Sequence, residues 1–417
     1  MMRVIITYSL IVIGLISSLT AKGFHNEPEG AVKIGDFWYS ILSEEDGTAE
    51  FAGFDETYFG MSEGDDHLEV PSTVRFPSNP DKEYVVVSIG EEACRLSMPG
   101  IPDIYTTIYT RGCCWFTPLD SITIPETVTS IGAGAFMGSG FSEFIFPETI
   151  KEIGNGCISW SYGLTKVVLP SHTKEIPVDL CCYCYSLCDF DISENVEKIG
   201  AGAFFRCNNM KKVYIPAGVR EIGNDAYTAL VSLENFEVDP ANEWYCAPDG
   251  ILLDKEMKTL IAWPFARKDV KVPEGVERIA GEALNWGFEL TSLDLPESLT
   301  DISNTTFRYD ESLEKVIVRS LVPPACAENE SGNQFMFHRN VYSNAELWVP
   351  DESVDEYRAH PVWGKFKKIR MTVGVEKVSA TEEEAVYYSL DGQKVDNPEH
   401  GQILIRRIGG AAEKVRY

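Results

Sequence analysis

Residues 192–216 read ISENVEKIGAGAFFRCNNMKKVYIP, and this stretch decides the fold because edited copies of it recur along the chain. Its central isoleucine, Ile199, recurs at steps of 22 or 23 residues. The counterparts in order are Ile108, Ile131, Ile153, Ile176, Ile222 and, after a gap, Ile279 and Ile302. A fixed period of this length is typical of a solenoid, in which successive copies stack along one axis.

Each copy contains three groups of apolar positions, which together predict one coil. The group L-x-x-I-x-I-P alternates apolar and variable residues, as expected for a strand with one face in the core. The group V-x-x-I-G indicates a shorter extended piece whose glycine supplies backbone freedom at a tight corner. The group A-F-x-x-C suits a single helical or 3₁₀ turn. We therefore predict a mostly β, α/β-type repeat whose coils stack as parallel ladders about 4.8 Å apart.

The repeat also divides the chain into segments. The spacing between Ile222 and Ile279 exceeds two periods, and the excess predicts a hairpin-like expansion of one coil. The predicted segments are a signal peptide at 1–21, a β-hairpin cap at 22–88, the solenoid at 89–319 with its expanded coil at 240–270, a carboxy-terminal cap at 320–370, and a small β tail at 371–417.

The first residues are typical of a secretory signal peptide. Arg3 precedes an uncharged apolar run over residues 4–19, and Thr20-Ala21 supplies a small residue for cleavage. A membrane anchor is the alternative, but the run is shorter than the roughly 20 apolar residues that a span needs. We expect an exported protein, extracellular or on the outer cell surface, with no transmembrane span in the mature chain.

Composition and motifs argue against several classes of function. Lys+Arg 36 against Asp+Glu 64 gives a formal net charge of −28, which repels phosphate backbones. The six histidines are scattered, with no H-E-x-x-H pair, and the chain has no glycine-rich phosphate loop. We expect no nucleic-acid partner, no cofactor, no metal site, no catalytic residues and no enzymatic activity.

The repeat motif I-P-x-x-V-x-x-I-G-x-x-A-F-x-x-C resembles the BspA-like leucine-rich repeats of bacterial surface proteins. Residues 124–136 and 192–207 match it well, and the resemblance covers roughly residues 89–319. Departures occur where Pro177 replaces the glycine, Ser193 replaces the proline, and Leu180-Cys181 replaces Ala-Phe. The resemblance implies a leucine-rich-repeat solenoid of the type found in the Bacteroidota, and a role in adhesion. The tail is similar to carboxy-terminal sorting modules of such proteins.

The cysteines admit more than one interpretation. Cys181 and Cys184 have the Cys-x₂-Cys spacing of metal sites, but a second pair at comparable spacing is missing. The repeat register places Cys184 and Cys207 in one inward column, one coil apart, where a reduced thiol acts as a small hydrophobic side chain. A disulfide between Cys184 and Cys207 is the alternative, because the spacing of coils falls within the allowed Cα range.

The repeat register also identifies a candidate ligand surface. In the first strand of each coil, the residue between the two core positions points away from the core. This column reads Thr123, Ile145, Val168, Asp191, Tyr214, Glu237, Asp294 and Ile317. Ile145, Val168 and Tyr214, named here the strand strip, are apolar or aromatic where a solvated face is polar. Strand propensity explains such residues; a shallow ligand-binding strip is the alternative explanation.

The expanded coil adds three aromatic candidates beside this strip, namely Trp244, Tyr245 and Trp263. Our leading hypothesis is a secreted or cell-surface, non-catalytic, adhesin-like protein that presents a protein or glycan ligand to the repeat ladder. Its expected partner is a host extracellular protein or glycan. The alternatives are a structural envelope scaffold and an accessory lectin, for which exposed tryptophans in the expanded coil would be the sugar platform.

Overall fold

The computed structural model of the protein describes residues 30–54, 67–91, 93, 119–303, 306–307, 309–326, 336–372, 386–388, 394–395, 403–408 and 411–416. The predicted signal peptide and the repeat copy around Ile108 lie outside these residues. Within the described ranges, no helix has the length and apolarity that a bilayer crossing requires.

The amino-terminal region contains a β-hairpin, formed by its second and third strands, and leads into the coils. Its strands are β1 (Val32–Ile34), β2 (Phe37–Ser43), β3 (Thr48–Phe54), β4 (His67–Glu69), β5 (Thr73–Val74) and β6 (Tyr84–Ile89). β2 and β3 pair antiparallel, and β3 then pairs in parallel with β6, which places Phe51 opposite Ile89. Tyr39 and Phe51, with ring centroids 5.8 Å apart, are buried in the same core as the first coils. The hairpin therefore shields the end of that core, as an amino-terminal cap must.

Each following coil contributes two short strands. These are β7 (Ser121–Thr123), β8 (Ser130–Ile131), β9 (Glu143–Ile145), β10 (Glu152–Ile153), β11 (Lys166–Val168), β12 (Glu175–Ile176), β13 (Asp189–Phe190), β14 (Lys198–Ile199), β15 (Lys212–Ile215), β16 (Glu221–Ile222) and β17 (Asn235–Val238). First strands pair in parallel as β9–β11–β13 and β15–β17, and second strands as β8–β10 and β12–β14–β16. Ile176, Ile199 and Ile222 lie directly opposite one another, so the sequence period equals one coil.

The third face of each coil is closed by consecutive reverse turns, which is the form that the predicted helical turn takes. Within one coil, Ala203 N donates to Gly200 O at 3.3 Å. The alternate amides of Gly202, Phe204 and Arg206 donate instead to carbonyl groups of the next coil, at 2.9, 3.0 and 3.1 Å. A third ladder of main-chain hydrogen bonds therefore joins the coils along this turn face, beside the two strand ladders.

The glycine after the central isoleucine is required for close approach between coils. Gly200 does not have a left-handed backbone, so conformational freedom does not explain it. A Cβ atom at Gly200 would lie 2.5 Å from Val178 N and 2.6 Å from Pro177 C of the preceding coil. The prediction that this glycine supplies backbone freedom at a tight corner was therefore wrong. The glycine is needed because a side chain here would collide with the backbone of the neighbouring coil.

The expanded coil is an antiparallel meander that enters the second ladder. It comprises β18 (Tyr245–Cys246), a 3₁₀ turn (Pro248–Gly250), β19 (Leu252–Asp254) and β20 (Thr259–Ala262). β20 pairs in parallel with the next second strand, Leu260 opposite Ile279. Leu252 packs in the amino-terminal core and Leu253 in a second core that continues to the carboxy terminus. The meander therefore separates two hydrophobic cores.

The chain returns from this coil by an unusually short connection. In the preceding coil, residues 223–234 connect β16 to β17 and form the turn face. In the expanded coil, only residues 263–268 connect β20 to the next first strand, which begins at Asp269. This connection is half as long as the preceding one, so the turn face is interrupted at this coil.

The remaining coils and the carboxy-terminal cap continue both ladders. Their elements are β21 (Asp269–Lys271), β22 (Arg278–Ile279), β23 (Ser292–Leu295), β24 (Asp301–Ile302), β25 (Lys315–Val318), β26 (Ala325–Cys326), α1 (Arg339–Asn344), β27 (Glu346–Pro350), a 3₁₀ turn (Asp351–Ser353), α2 (Val354–Ala359), a 3₁₀ turn (Trp363–Lys365) and β28 (Lys368–Thr372). Tyr357 Oη donates to Ser320 O at 2.8 Å, and the buried Trp363 Nε1 donates to Pro324 O at 3.3 Å. These contacts attach the cap to the last coil.

The tail forms a four-stranded antiparallel sheet in the order β30–β29–β31–β32. Its strands are β29 (Val386–Tyr388), β30 (Lys394–Val395), β31 (Ile403–Ile408) and β32 (Ala411–Arg416).

The glycine contact predicts that Gly200→Ala lowers the free energy of unfolding by about 1–3 kcal/mol, because the added methyl group forces two coil backbones apart. Gly163→Ala is the matched control, since its Cβ would meet no atom closer than 3.9 Å, and we expect a change within about 0.5 kcal/mol. Urea denaturation of both variants measures the difference. Equal stabilities for the two variants would contradict the close-approach explanation.

Candidate functional site

The strand strip lies on the outer surface of the first ladder. Ile145 is 62% exposed, Val168 is 37% exposed, and the two lie directly opposite each other on β9 and β11. Tyr214 on β15 is 42% exposed, and its hydroxyl donates to Asp239 Oδ2 at 2.8 Å. That hydrogen bond is the main reason why the pKa of Tyr214 is raised to about 12. The ring is therefore held in one orientation and stays neutral at physiological pH.

The three aromatic candidates of the expanded coil are placed differently from one another. Trp244 is 42% exposed and lies at the surface. Tyr245 is partly buried, and its hydroxyl accepts a hydrogen bond from Ile222 N at 3.2 Å, which ties the meander to β16. Trp263 is only 2% exposed, and its indole N–H donates to Arg267 O at 3.0 Å. The expectation that Trp263 lines a ligand surface is wrong, because this side chain packs in the second core.

The cysteines of the inward column are free thiols in the core. Cys184 and Cys207 are both fully buried, and the alternative disulfide between them is not formed. Cys184 Sγ donates to Ile158 O at 3.3 Å, and Cys207 Sγ donates to Cys181 O at 3.1 Å. Burial raises the pKa of the Cys207 thiol well above its usual range, so it stays protonated. Among the described residues, no three His, Cys, Asp or Glu side chains are grouped to hold a metal ion.

The turn face carries a second candidate surface that sequence reasoning missed. One position in successive coils forms what we name the aromatic column, comprising Trp160, Tyr183, Arg206, Trp286 and Tyr309. The rings of Trp160 and Tyr183 stack with centroids 4.0 Å apart, and those of Trp286 and Tyr309 stack at 3.9 Å. The same register that identified the strand strip could have identified this column, because its members recur at the repeat period within each half.

The backbone of this column is strained. Trp160, Tyr183, Arg206 and Trp286 have φ of 60°, 62°, 61° and 65°, in the left-handed region that favours glycine. The equivalent residue of an earlier coil is Gly138, with φ of 75°. A left-handed conformation costs a bulky residue roughly 1–2 kcal/mol. Large side chains at such positions indicate that their contacts outweigh this cost.

Arg206 joins the two halves of the column. Its guanidinium carbon lies 5.3 Å from the Tyr183 ring centroid and 4.4 Å from that of Trp286. Arg206 and Trp286 are far apart in sequence but close in space. Only the small Ala229 occupies the column position between them, and residues 263–268 are too short to add a further turn to the turn face. Thr228 Oγ1 also bridges the interruption by donating to Glu282 O at 3.1 Å. A cation–π sandwich therefore replaces ring stacking where the turn face is interrupted.

The interruption leaves a cleft of about 470 Å³ beside the column, which we name the turn-face cleft. The four rings of the aromatic column form one wall. Asp179, Asp225 and Glu282, which share one repeat position, also line the cleft, and Gly202 in the same position lies between the first two along the chain. The pKa of Asp225 is raised to about 7, chiefly by burial and then by repulsion from Glu282. The cleft thus combines concentrated carboxyl groups with an apolar wall.

The repeats are similar to those of a known family of proteins. Six copies of the BspA type leucine rich repeat region match residues 106–234 and 264–328. The residues in these two ranges are therefore similar to BspA-type leucine-rich repeats. The gap between the two matched ranges contains the expanded coil, which is consistent with its departure from the repeat. No curated protein sequence matches the chain at a significant level.

Solved structures of bacterial leucine-rich-repeat proteins resemble the chain at low identity. A leucine rich cell surface protein from Faecalibacterium prausnitzii is 19% identical, with 82% of this chain and 94% of that chain covered and a TM-score of 0.51. The pneumococcal vaccine antigen PcpA is 18% identical, with coverages of 78% and 82% and a TM-score of 0.49. A leucine-rich repeat protein from Bacteroides ovatus is 17% identical, with coverages of 82% and 99% and a TM-score of 0.35. The first of these supports the fold alone.

The cation–π sandwich predicts that Arg206→Met lowers the free energy of unfolding by about 1–2 kcal/mol, because the aliphatic side chain cannot replace the cation between two rings. Arg220→Met is the control, since the Arg220 side chain forms an exposed ion pair with Glu197 at 3.0 Å and its loss should change stability by less than about 0.5 kcal/mol. Denaturant unfolding compares the two. Equal effects would show that the sandwich contributes nothing beyond a surface charge.

The raised pKa of Asp225 predicts a pH-dependent gain in stability for Asp225→Asn. Because the folded-state pKa of about 7 exceeds the unfolded value near 3.9, ionisation destabilises the fold, and stability falls as pH rises between these values. At pH 8 we expect Asp225→Asn to be more stable than wild type by about 1–2 kcal/mol, less than the full shift because the carboxyl group is partly solvated. Thermal unfolding should show this difference disappearing below about pH 4. A difference that persists there would contradict the assignment.

Proposed function

We propose that the protein is an exported, non-catalytic binding protein of the cell surface that presents the strand strip to a protein or glycan partner. The BspA-type repeats support a binding or surface role without catalysis. The charged start and apolar run before Thr20-Ala21 support export. Adhesion to host extracellular material is the form of binding that the repeat family suggests.

The observation that carries this proposal is the position of Ile145, Val168 and Tyr214. Ile145 and Val168 project from the parallel ladder β9–β11–β13 and Tyr214 from the ladder β15–β17; main-chain hydrogen bonds fix the spacing of coils within each ladder, so the strip offers a preformed surface. Preformed apolar contacts lose little conformational entropy on binding. Opposite charges border the strip, since Lys166 pairs with Asp189 at 3.2 Å and Lys212 with Glu237 at 3.4 Å. A partly apolar centre with a charged rim is the usual composition of a protein-binding patch.

Binding to a panel of immobilised extracellular-matrix proteins and mucosal glycans tests the proposal. The double variant Ile145→Ser/Val168→Ser and the single variant Tyr214→Ser should each weaken binding about tenfold, because each removes exposed apolar area from the contact. Val322→Ser is the control, since this side chain is 69% exposed but lies outside the strip. Wild-type binding that survives both strip variants would contradict the proposal. A wild-type protein that binds no panel member would favour the scaffold alternative.

A further inference from the structure

The turn-face cleft has one wall of carboxylates without cationic partners. Among the described residues, none of Asp179, Asp225 and Glu282 forms an ion pair, although exposed carboxylates elsewhere on the solenoid commonly do. Asp225 Oδ1 is buried and has no hydrogen-bond partner. A buried carboxylate oxygen without a partner is costly. Glu282 accepts a hydrogen bond from Asn285 Nδ2, so the oxygen that a positively charged donor would satisfy is Asp225 Oδ1.

The aromatic rings that line the cleft argue for a ligand side chain with an aliphatic stem. Trp160 covers one face of Tyr183, and Trp286 covers one face of Tyr309, at interplanar angles of 15° and 27°. A sugar ring packs on exposed aromatic faces, and each stack removes one face of both of its rings from such a contact. These rings and Phe205 line the cleft, and they suit the methylene groups of an arginine or lysine side chain.

Arg206 shows that this surface already accepts a guanidinium group. Its charged group lies within 6 Å of four ring centroids, those of Tyr183, Phe205, Trp286 and Phe288. It forms no ion pair with any described carboxylate, so it is not a direct partner of the carboxylates in the cleft. The net charge of −28 further favours basic partners by long-range attraction.

We propose that the turn-face cleft is a binding site for an arginine or lysine side chain of a basic polypeptide segment. The carboxylate of Asp179 leans over Gly202, where the Cβ atom of any other residue would collide with its Oδ1. The absence of a side chain at Gly202 therefore leaves room for Asp179, and the carboxylates of Asp179 and Asp225 both line the cleft. A planar guanidinium donates to two carboxylates at once, which favours arginine over lysine. The stem then lies against the aromatic column.

This site is on the turn face, apart from the strand strip, and does not depend on the ligand proposed for that strip. A basic segment that binds the cleft would therefore leave the strip open to a different partner. Substitutions in the strand strip should therefore not change the binding of a basic segment to the cleft.

A synthetic acetylated peptide of alternating glycine and arginine is the probe, titrated calorimetrically against the full chain at pH 8 and low salt. We expect saturable binding at one site per chain and weaker binding of the matching lysine peptide. The double variant Asp225→Asn/Glu282→Gln should weaken the arginine peptide about tenfold. Both changes keep side-chain shape and remove repulsion, so the variant should fold at least as well as wild type, which thermal unfolding verifies.

The control Glu143→Gln/Asp191→Asn removes the same charge from the exposed first ladder and should weaken binding less than about twofold. Lowering the pH from 8 to 6 protonates Asp225, which faces Asp179 and Glu282 with Arg206 nearby, and should weaken binding to wild type but not to the cleft variant. If the cleft variant and the control variant lost the same amount of affinity for the peptide, the binding would depend on net charge alone, and the proposal would be overturned. Displacement of the peptide by a neutral oligosaccharide, or no saturable binding at all, would overturn it too.

Discussion

The structure depends on the contact between one coil backbone and the next. Three ladders of main-chain hydrogen bonds fix the separation of the coils, and at the corner after Ile199 the backbones come so close that Gly200 has no room for a Cβ atom. This contact requires most coils to have nearly the same length, which is why the sequence keeps a nearly constant period. Side chains outside the core are then placed in columns, so one residue per coil becomes a continuous surface.

Much of this architecture could be predicted because it depends on periodicity. The alignment of Ile176, Ile199 and Ile222, the parallel ladders and the BspA-type repeat all follow from spacing that is visible in the sequence. The outward position of Tyr214 followed from the same register. The reason for the corner glycine did not, since sequence alone does not distinguish a residue that needs a left-handed backbone from one that has no room for a Cβ atom.

The candidate sites were harder to predict because they depend on where the repeat fails. An aromatic residue in a non-repetitive stretch has no register, so Trp263 gave no sign that it belongs to the second core. Arg206 and Trp286 are neighbours only because residues 263–268 are too few to form the turn that would separate them. The cleft beside them is thus a consequence of one shortened connection, and its charges come from carboxylates that share a repeat position in coils on both sides of it.

Hydrogen exchange at single amides tests the three-ladder account most directly. If the turn face is a true ladder, the amides of Gly202, Phe204 and Arg206 should be protected to the same degree as those of β15, because each donates to the next coil. They should then exchange only when the coils separate. Exchange of these three amides at the rate of an exposed loop, while β15 stays protected, would show that the coils are joined by the strands alone and would contradict the account.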